Sequence, residues 1–105
     1  MFNINGEDWE VLLVAPDHPE LLNDTGKLVL GCCNDKHKTI YINETLSDEF
    51  LKNVLCHEIT HAAMFSYNVY LTLEQEELLA DIVATYGEEI VKITNQIFKK
   101  IKGTY

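Results

Sequence analysis

The chain has 105 residues, 47% of them apolar and 24% charged, the balance of an ordinary soluble globular protein with material for one modest core. Those figures exclude a disordered tail, a fibrous repeat, a disulfide mini-protein and an enzyme with a separate cofactor domain, so residues 1–105 are expected to form a single domain. Seventeen acidic residues against eight basic ones give a net charge of −9, which repels phosphate backbones and argues against nucleic-acid binding through a basic surface.

The first 45 residues read as short strands separated by turn chemistry. Trp9–Val14 is rich in β-formers and stops before Pro16; Ala15–Glu20 has turn or short-helix character, with His18 as a turn residue. Asp24-Thr25-Gly26 signals a turn, and Lys27–Cys33 is a second apolar run. After the polar break Asn34–His37, Ile40 and Ile42 alternate with Thr39, Tyr41 and Asn43, the period-2 pattern of a half-buried strand. The second and third runs predict an antiparallel hairpin.

From Ser47 the period changes to that of a helix. Ser47 is the expected N-cap, with Asp48 and Glu49 in the first turn, where carboxylates suit the helix dipole. This helix is expected to run to Phe65–Tyr67 and, being apolar on several sides, to lie in the middle of the domain. Thr72 and Gln75 match a capping box for a second helix. Its apolar stripe runs Leu79, Ile82, Val83, Tyr86, Ile90, Ile93, Ile97 and Ile101, with steps of three and four residues. Lys99, Lys100 and Lys102 suit its C-terminal end and Gly103 stops it. Strands first, then two long helices, give an α+β fold: a small N-terminal antiparallel sheet followed by the helical pair.

Cys32, Cys33 and Cys56 are odd in number and two are adjacent, a poor basis for a disulfide framework. Residues 1–10 have neither a basic start nor an apolar run, and no stretch approaches the roughly 20 apolar residues of a membrane span. A cytoplasmic protein without membrane contact is the expectation.

The chemistry concentrates at His57-Glu58-Ile59-Thr60-His61, an H-E-x-x-H pattern in mid-helix. Residues four apart share a helix face, so two imidazoles can hold one zinc ion at about 2.0–2.1 Å. Glu58, displaced from that face, is placed to act as general base on a water whose pKa the metal lowers towards about 7. The alternative is an amphipathic helix carrying two exposed histidines. A catalytic zinc takes three protein ligands, and the second helix supplies a candidate. Glu77 and Asp81 are four apart, and an antiparallel return of the chain sets them opposite the histidines. Glu77 is assigned as third ligand, and Asp81 as the acceptor of a ring N–H, most simply that of His57. Glu74 and Glu76 are assigned to a solvated, dipole-favoured N-terminus, although Glu74 is near enough in sequence to lie beside the site.

H-E-x-x-H followed on a second helix by Glu-x-x-x-Asp resembles the gluzincin branch of zinc metallopeptidases. The short chain, the Glu77–Asp81 run and Ala62 after the second histidine look like the minimal zincin cores of small bacterial and phage proteins, the ImmA/IrrE-like group among them. The resemblance covers roughly residues 38–90 and is carried by the two motifs. It implies a peptidase with one Zn²⁺ per chain, ligands His57, His61 and Glu77, base Glu58 and supporting Asp81.

A zincin also needs an edge strand for an extended peptide and an electrophile for the oxyanion. Thr39–Asn43 is the expected edge strand, with Thr39, Tyr41 and Asn43 beside the substrate. Tyr67, Tyr70, Tyr86 and His37 are the oxyanion candidates, Tyr67 and Tyr86 first among them. Cys56, about 100° around the helix from His57, and the adjacent Cys32 and Cys33 are assigned to packing rather than ligation. The expected function is zinc-dependent hydrolysis of a peptide bond in a protein or peptide substrate. The alternative is a weakly active or inactive zincin-fold module that holds metal and binds a protein partner.

Overall fold

The computed structural model describes residues 1–103. Strand β1 (Phe2–Ile4) pairs antiparallel with β2 (Glu7–Val14) through a two-residue loop, Asn5-Gly6. Both loop residues have positive φ, 50° and 81°, the backbone that an Asn-Gly hairpin turn requires and that these two types adopt most readily. This hairpin and its Asn-Gly signal lie outside the elements expected from the sequence, and β2 begins two residues before the predicted Trp9.

After a single 3-10 turn at Pro19–Leu21, capped by the His18 ring, come β3 (Gly31–Asn34) and β4 (Thr39–Asn43). They form the predicted antiparallel hairpin. Only the end of the Lys27–Cys33 run is strand, with one isolated bridge, Leu22 to Leu28, before it. The sheet order is β1-β2-β4-β3, and β2 runs parallel to β4 in the register Val11 to Ile40. The sheet is therefore mixed rather than wholly antiparallel. It also places β4 between two strands, so Thr39–Asn43 is not an edge: Thr39 and Asn43 are buried and both backbone sides of the strand are paired. The edge on that side is β3.

Helix α1 (Asp48–Ser66) lies between the sheet and helix α2 (Leu73–Lys102), as its all-round apolarity implied. Trp9, Ile40 and Ile42 from the sheet meet Val54 and Ala62 of α1 in the buried core, with Val11, Cys33 and Ile59 packed around them. Ser47 stands at the N-cap position, but its side chain makes no capping hydrogen bond. The capping box of α2 is present in full: Gln75 N–H donates to Thr72 Oγ1 at 3.1 Å and Thr72 N–H to Gln75 Oε1 at 3.1 Å. Gly103 ends α2 in the left-handed region, at φ 67°.

The two helices run antiparallel. His61 faces Glu77, His57 faces Asp81, Asn53 donates to the Ala84 carbonyl, and Lys52 pairs with Glu88. The face of α2 turned to α1 carries small residues, with Ala80 buried and Val83, Ala84 and Gly87 half-buried. The isoleucine stripe does not face α1. Ile82, Tyr86, Ile90, Ile93, Ile97 and Ile101 are all exposed, because a close approach of two helices selects the small-residue side. No described helix is long and apolar enough to cross a membrane.

Candidate metal centre

Four residues per step carry His57 and His61 to one side of α1, their ring centroids 4.9 Å apart and edge to face. The capping box starts α2 at a position that brings Glu77 over both rings. His61 Nε2 is 3.0 Å from Glu77 Oε1, and His57 Nε2 is 3.4 Å from Glu77 Oε2. One donor atom from each of His57, His61 and Glu77 falls within 4.8 Å of the others. Ligands about 2.0–2.2 Å from a tetrahedral centre stand roughly 3.4 Å apart, so the three side chains are already near the spacing an ion demands.

Carboxylates also meet the other ring nitrogens: His57 Nδ1 lies 3.0 Å from Glu58 Oε2, and His61 Nδ1 lies 2.7 Å from Glu76 Oε1. With the ring protons held on those nitrogens, each Nε2 lone pair would be left for a cation on the Glu77 side. Two imidazole nitrogens and one carboxylate oxygen suit zinc, so the residues present fit the ion that the motif implies.

Asp81 lies 3.1 Å from His57 Nε2, the nitrogen turned towards Glu77. It therefore meets the ring expected of it, on the side turned to the three donors, while Glu58 takes the other nitrogen. Glu76 was missed. Its carboxylate is mostly covered and orients His61, whereas the sequence placed it among solvated acids. The available signal was its position one turn before Ala80, on the side of α2 that meets α1. Glu74 lies outside the cleft lining.

Glu58 is buried between α1 and β3, and burial raises its carboxyl above the ordinary carboxylate range. The hydrogen bond from His57 and the charges of both histidines pull it part of the way back. Gly31 of β3 makes this close packing possible: a Cβ there would stand 2.8 Å from Val54 Cγ1 and 3.0 Å from Glu58 Cγ. Cys33, beside Ile40 in the register, has its thiol pushed far up by burial and then by the Glu58 carboxylate; Cys32 is raised by the same two causes. Neither joins the metal-donor group, and Cys56 Sγ points instead to the Val83 carbonyl.

A cleft of about 830 Å³ opens on the donors. Its wall is β3 on one side and α1 with the start of α2 on the other, with Leu30, Phe50, Val54, Phe65 and Leu73 as apolar lining. Thr39, Tyr41 and Asn43 are not on that wall. Tyr41 stacks instead on His18, ring centroids 5.6 Å apart. Tyr67, Tyr70, Tyr86 and His37 are also outside the lining: the three tyrosines are exposed and His37 hydrogen-bonds Asn34.

Fold and site together define an α+β domain in which two helices present three donors that could hold a metal ion, beside a sheet edge. Residues 16–77 match the SprT-like family, and the chain belongs to it. That family is related to zincin metallopeptidases, and the match covers the 3-10 turn, β3, β4, α1 and the first residues of α2 as far as Glu77. Comparison with curated proteins and with solved structures found no match.

Proposed function

We propose that the protein is a zinc-dependent metallopeptidase, with ligands His57, His61 and Glu77 and with Glu58 as general base, active on protein or peptide substrates. The observation that carries this is the convergence of both Nε2 atoms on Glu77 while both Nδ1 atoms face other carboxylates, Glu58 and Glu76. A zinc ion held there would act as a Lewis acid, acidifying water and polarising a carbonyl. Glu58 supplies the base: its raised proton affinity brings it nearer the pKa at which a carboxylate both accepts a proton and returns it to a leaving amine. Glu76 fixes the His61 ring, and Asp81 adds negative charge beside His57. The outer backbone of β3 borders the cleft and is the edge to which an extended peptide would add, with an apolar side chain entering between Phe50, Val54 and Leu30. This support comes from the zincin relationship as well as the geometry, while the narrower ImmA/IrrE-like likeness rests on the short chain, the Glu77–Asp81 run and Ala62.

Zinc-loaded protein is expected to bind about one ion per chain and to cut an unfolded protein such as casein in a chelator-sensitive way. Glu58→Gln is expected to keep the ion and lose at least about a hundredfold in cleavage, and Glu77→Ala to lose the ion. A Glu58→Gln variant as active as the parent overturns the mechanism. Stoichiometric zinc without cleavage of any substrate in a peptide library favours a metal-holding module instead.

A further inference from the structure

Every residue of α2 from Glu88 to Gly103 is exposed. Lys52 grips Glu88 near the start of α1, and the helix runs on beyond it for about 20 Å at 1.5 Å per residue. Along this projection Tyr86, Ile90, Ile93, Ile97 and Ile101 are between 46% and 76% exposed. The stripe repeats at Leu79, Ile90 and Ile101, an 11-residue period of about 3.67 residues per turn that stays on one side of a nearly straight helix. It lies roughly 100° around α2 from the Ala80–Gly87 side, so closer packing of α1 cannot cover it. A side this apolar on a net acidic, otherwise polar helix marks an interface.

The charges of α2 name the occupant. All its acidic residues, from Glu74 to Glu89, precede all its lysines, from Lys92 to Lys102. Of these charges Glu89 and Lys100, eleven residues apart, flank the stripe on one side, within about 70° of it, so a matching partner must be a helix with an isoleucine stripe, carrying an acid beside Lys100 and a lysine beside Glu89. The same helix reversed meets that description; a parallel copy sets lysines against lysines. We infer that α2 of two copies pair antiparallel along this stripe, in a two-fold dimer with the same patch on each subunit. Glu77 and Asp81 lie roughly 160° away around α2, so the pairing leaves both metal clefts open.

Sedimentation equilibrium of the full chain across a concentration series is the test. The parent is expected to be dimeric at about 100 µM, and Ile93→Glu/Ile97→Glu to be monomeric there with unchanged helical circular dichroism. Lys100→Glu, a surface change that spares the stripe, is expected to weaken the dimer about tenfold, since it faces Glu89 of the other copy in both halves of the pair and sets like charges together. A monomeric parent, an assembly larger than a dimer, or a dimer that survives the paired isoleucine changes overturns the proposal. So does a Lys100→Glu dimer that is tighter than the parent, the outcome a parallel pair gives.

Discussion

Glu76 and Glu77 are adjacent in sequence and act on different atoms of the same histidine. Glu77 faces His61 Nε2, where the ion would sit, and Glu76 holds Nδ1 at 2.7 Å from behind. Removing the rear carboxylate frees the ring to rotate and lowers its basicity, so Glu76→Ala is expected to weaken zinc binding about 10- to 100-fold in a competition titration. Glu74→Ala, one step outside the cleft, is expected to change it by less than about twofold; equal effects would mean that Glu76 acts only through net charge. Gly31 makes a second prediction at this scale. Its missing Cβ is replaced in space by Val54 Cγ1 and Glu58 Cγ, so Gly31→Ala is expected to cost about 1–3 kcal/mol of stability by urea denaturation. Adding Val54→Ala should recover part of that loss, because the two changes share one contact. His57, Glu58, His61 and Glu77 were legible because helix geometry converts sequence spacing into a shared face. Glu76 and Gly31 were not, since each takes its role from an element remote in sequence.

At the scale of elements, one residue ties the end of α1 to the first hairpin. The buried Trp9 Nε1–H donates to Ser66 Oγ at 2.9 Å, and Asn5 Nδ2–H donates to the Ser66 carbonyl at 2.9 Å. Ser66→Ala keeps the second bond and strands the indole N–H, so unfolding by denaturant is expected to come about 1–3 kcal/mol easier. Introduced into a Trp9→Phe background the same change should cost much less, and a full cost there would show that Ser66 acts independently of Trp9. Both helices were readable to within a residue or two, for their caps and periodicities are local. The β3–β4 hairpin was readable for the same reason. The pairing of β2 with β4 was not: the two strands are separated by some 25 residues and their parallel register is set by which faces meet α1. Misplacing that one pairing moved the sheet edge from β3 to β4, and with it the expected substrate strand. The stripe of α2 was legible as an apolar face but not its surroundings, since periodicity does not report what covers such a face.

At the scale of the molecule, the metal centre is also a joint. Glu58, Glu76, Glu77 and Asp81 converge on two histidines, in a chain whose net charge is already −9. Four carboxylates around a cleft repel one another, and the cost falls on the contact between α1 and α2, which the histidines bridge. A divalent ion held by His57, His61 and Glu77 would reverse that sign: it would offset two of the charges and tie donors of both helices together, so it would favour the docked pair. Free zinc at about 100 times its dissociation constant would stabilise the folded chain by about 2.7 kcal/mol, which for a domain of this length is a rise in melting temperature of roughly 10–20 °C. Glu77→Ala should abolish most of that rise while leaving the metal-free melting temperature unchanged or raised, because it removes repulsion along with the ligand. Magnesium, which prefers six oxygen ligands, should produce little of it. A rise of the same size in Glu77→Ala would place the stabilising ion elsewhere than between the two helices.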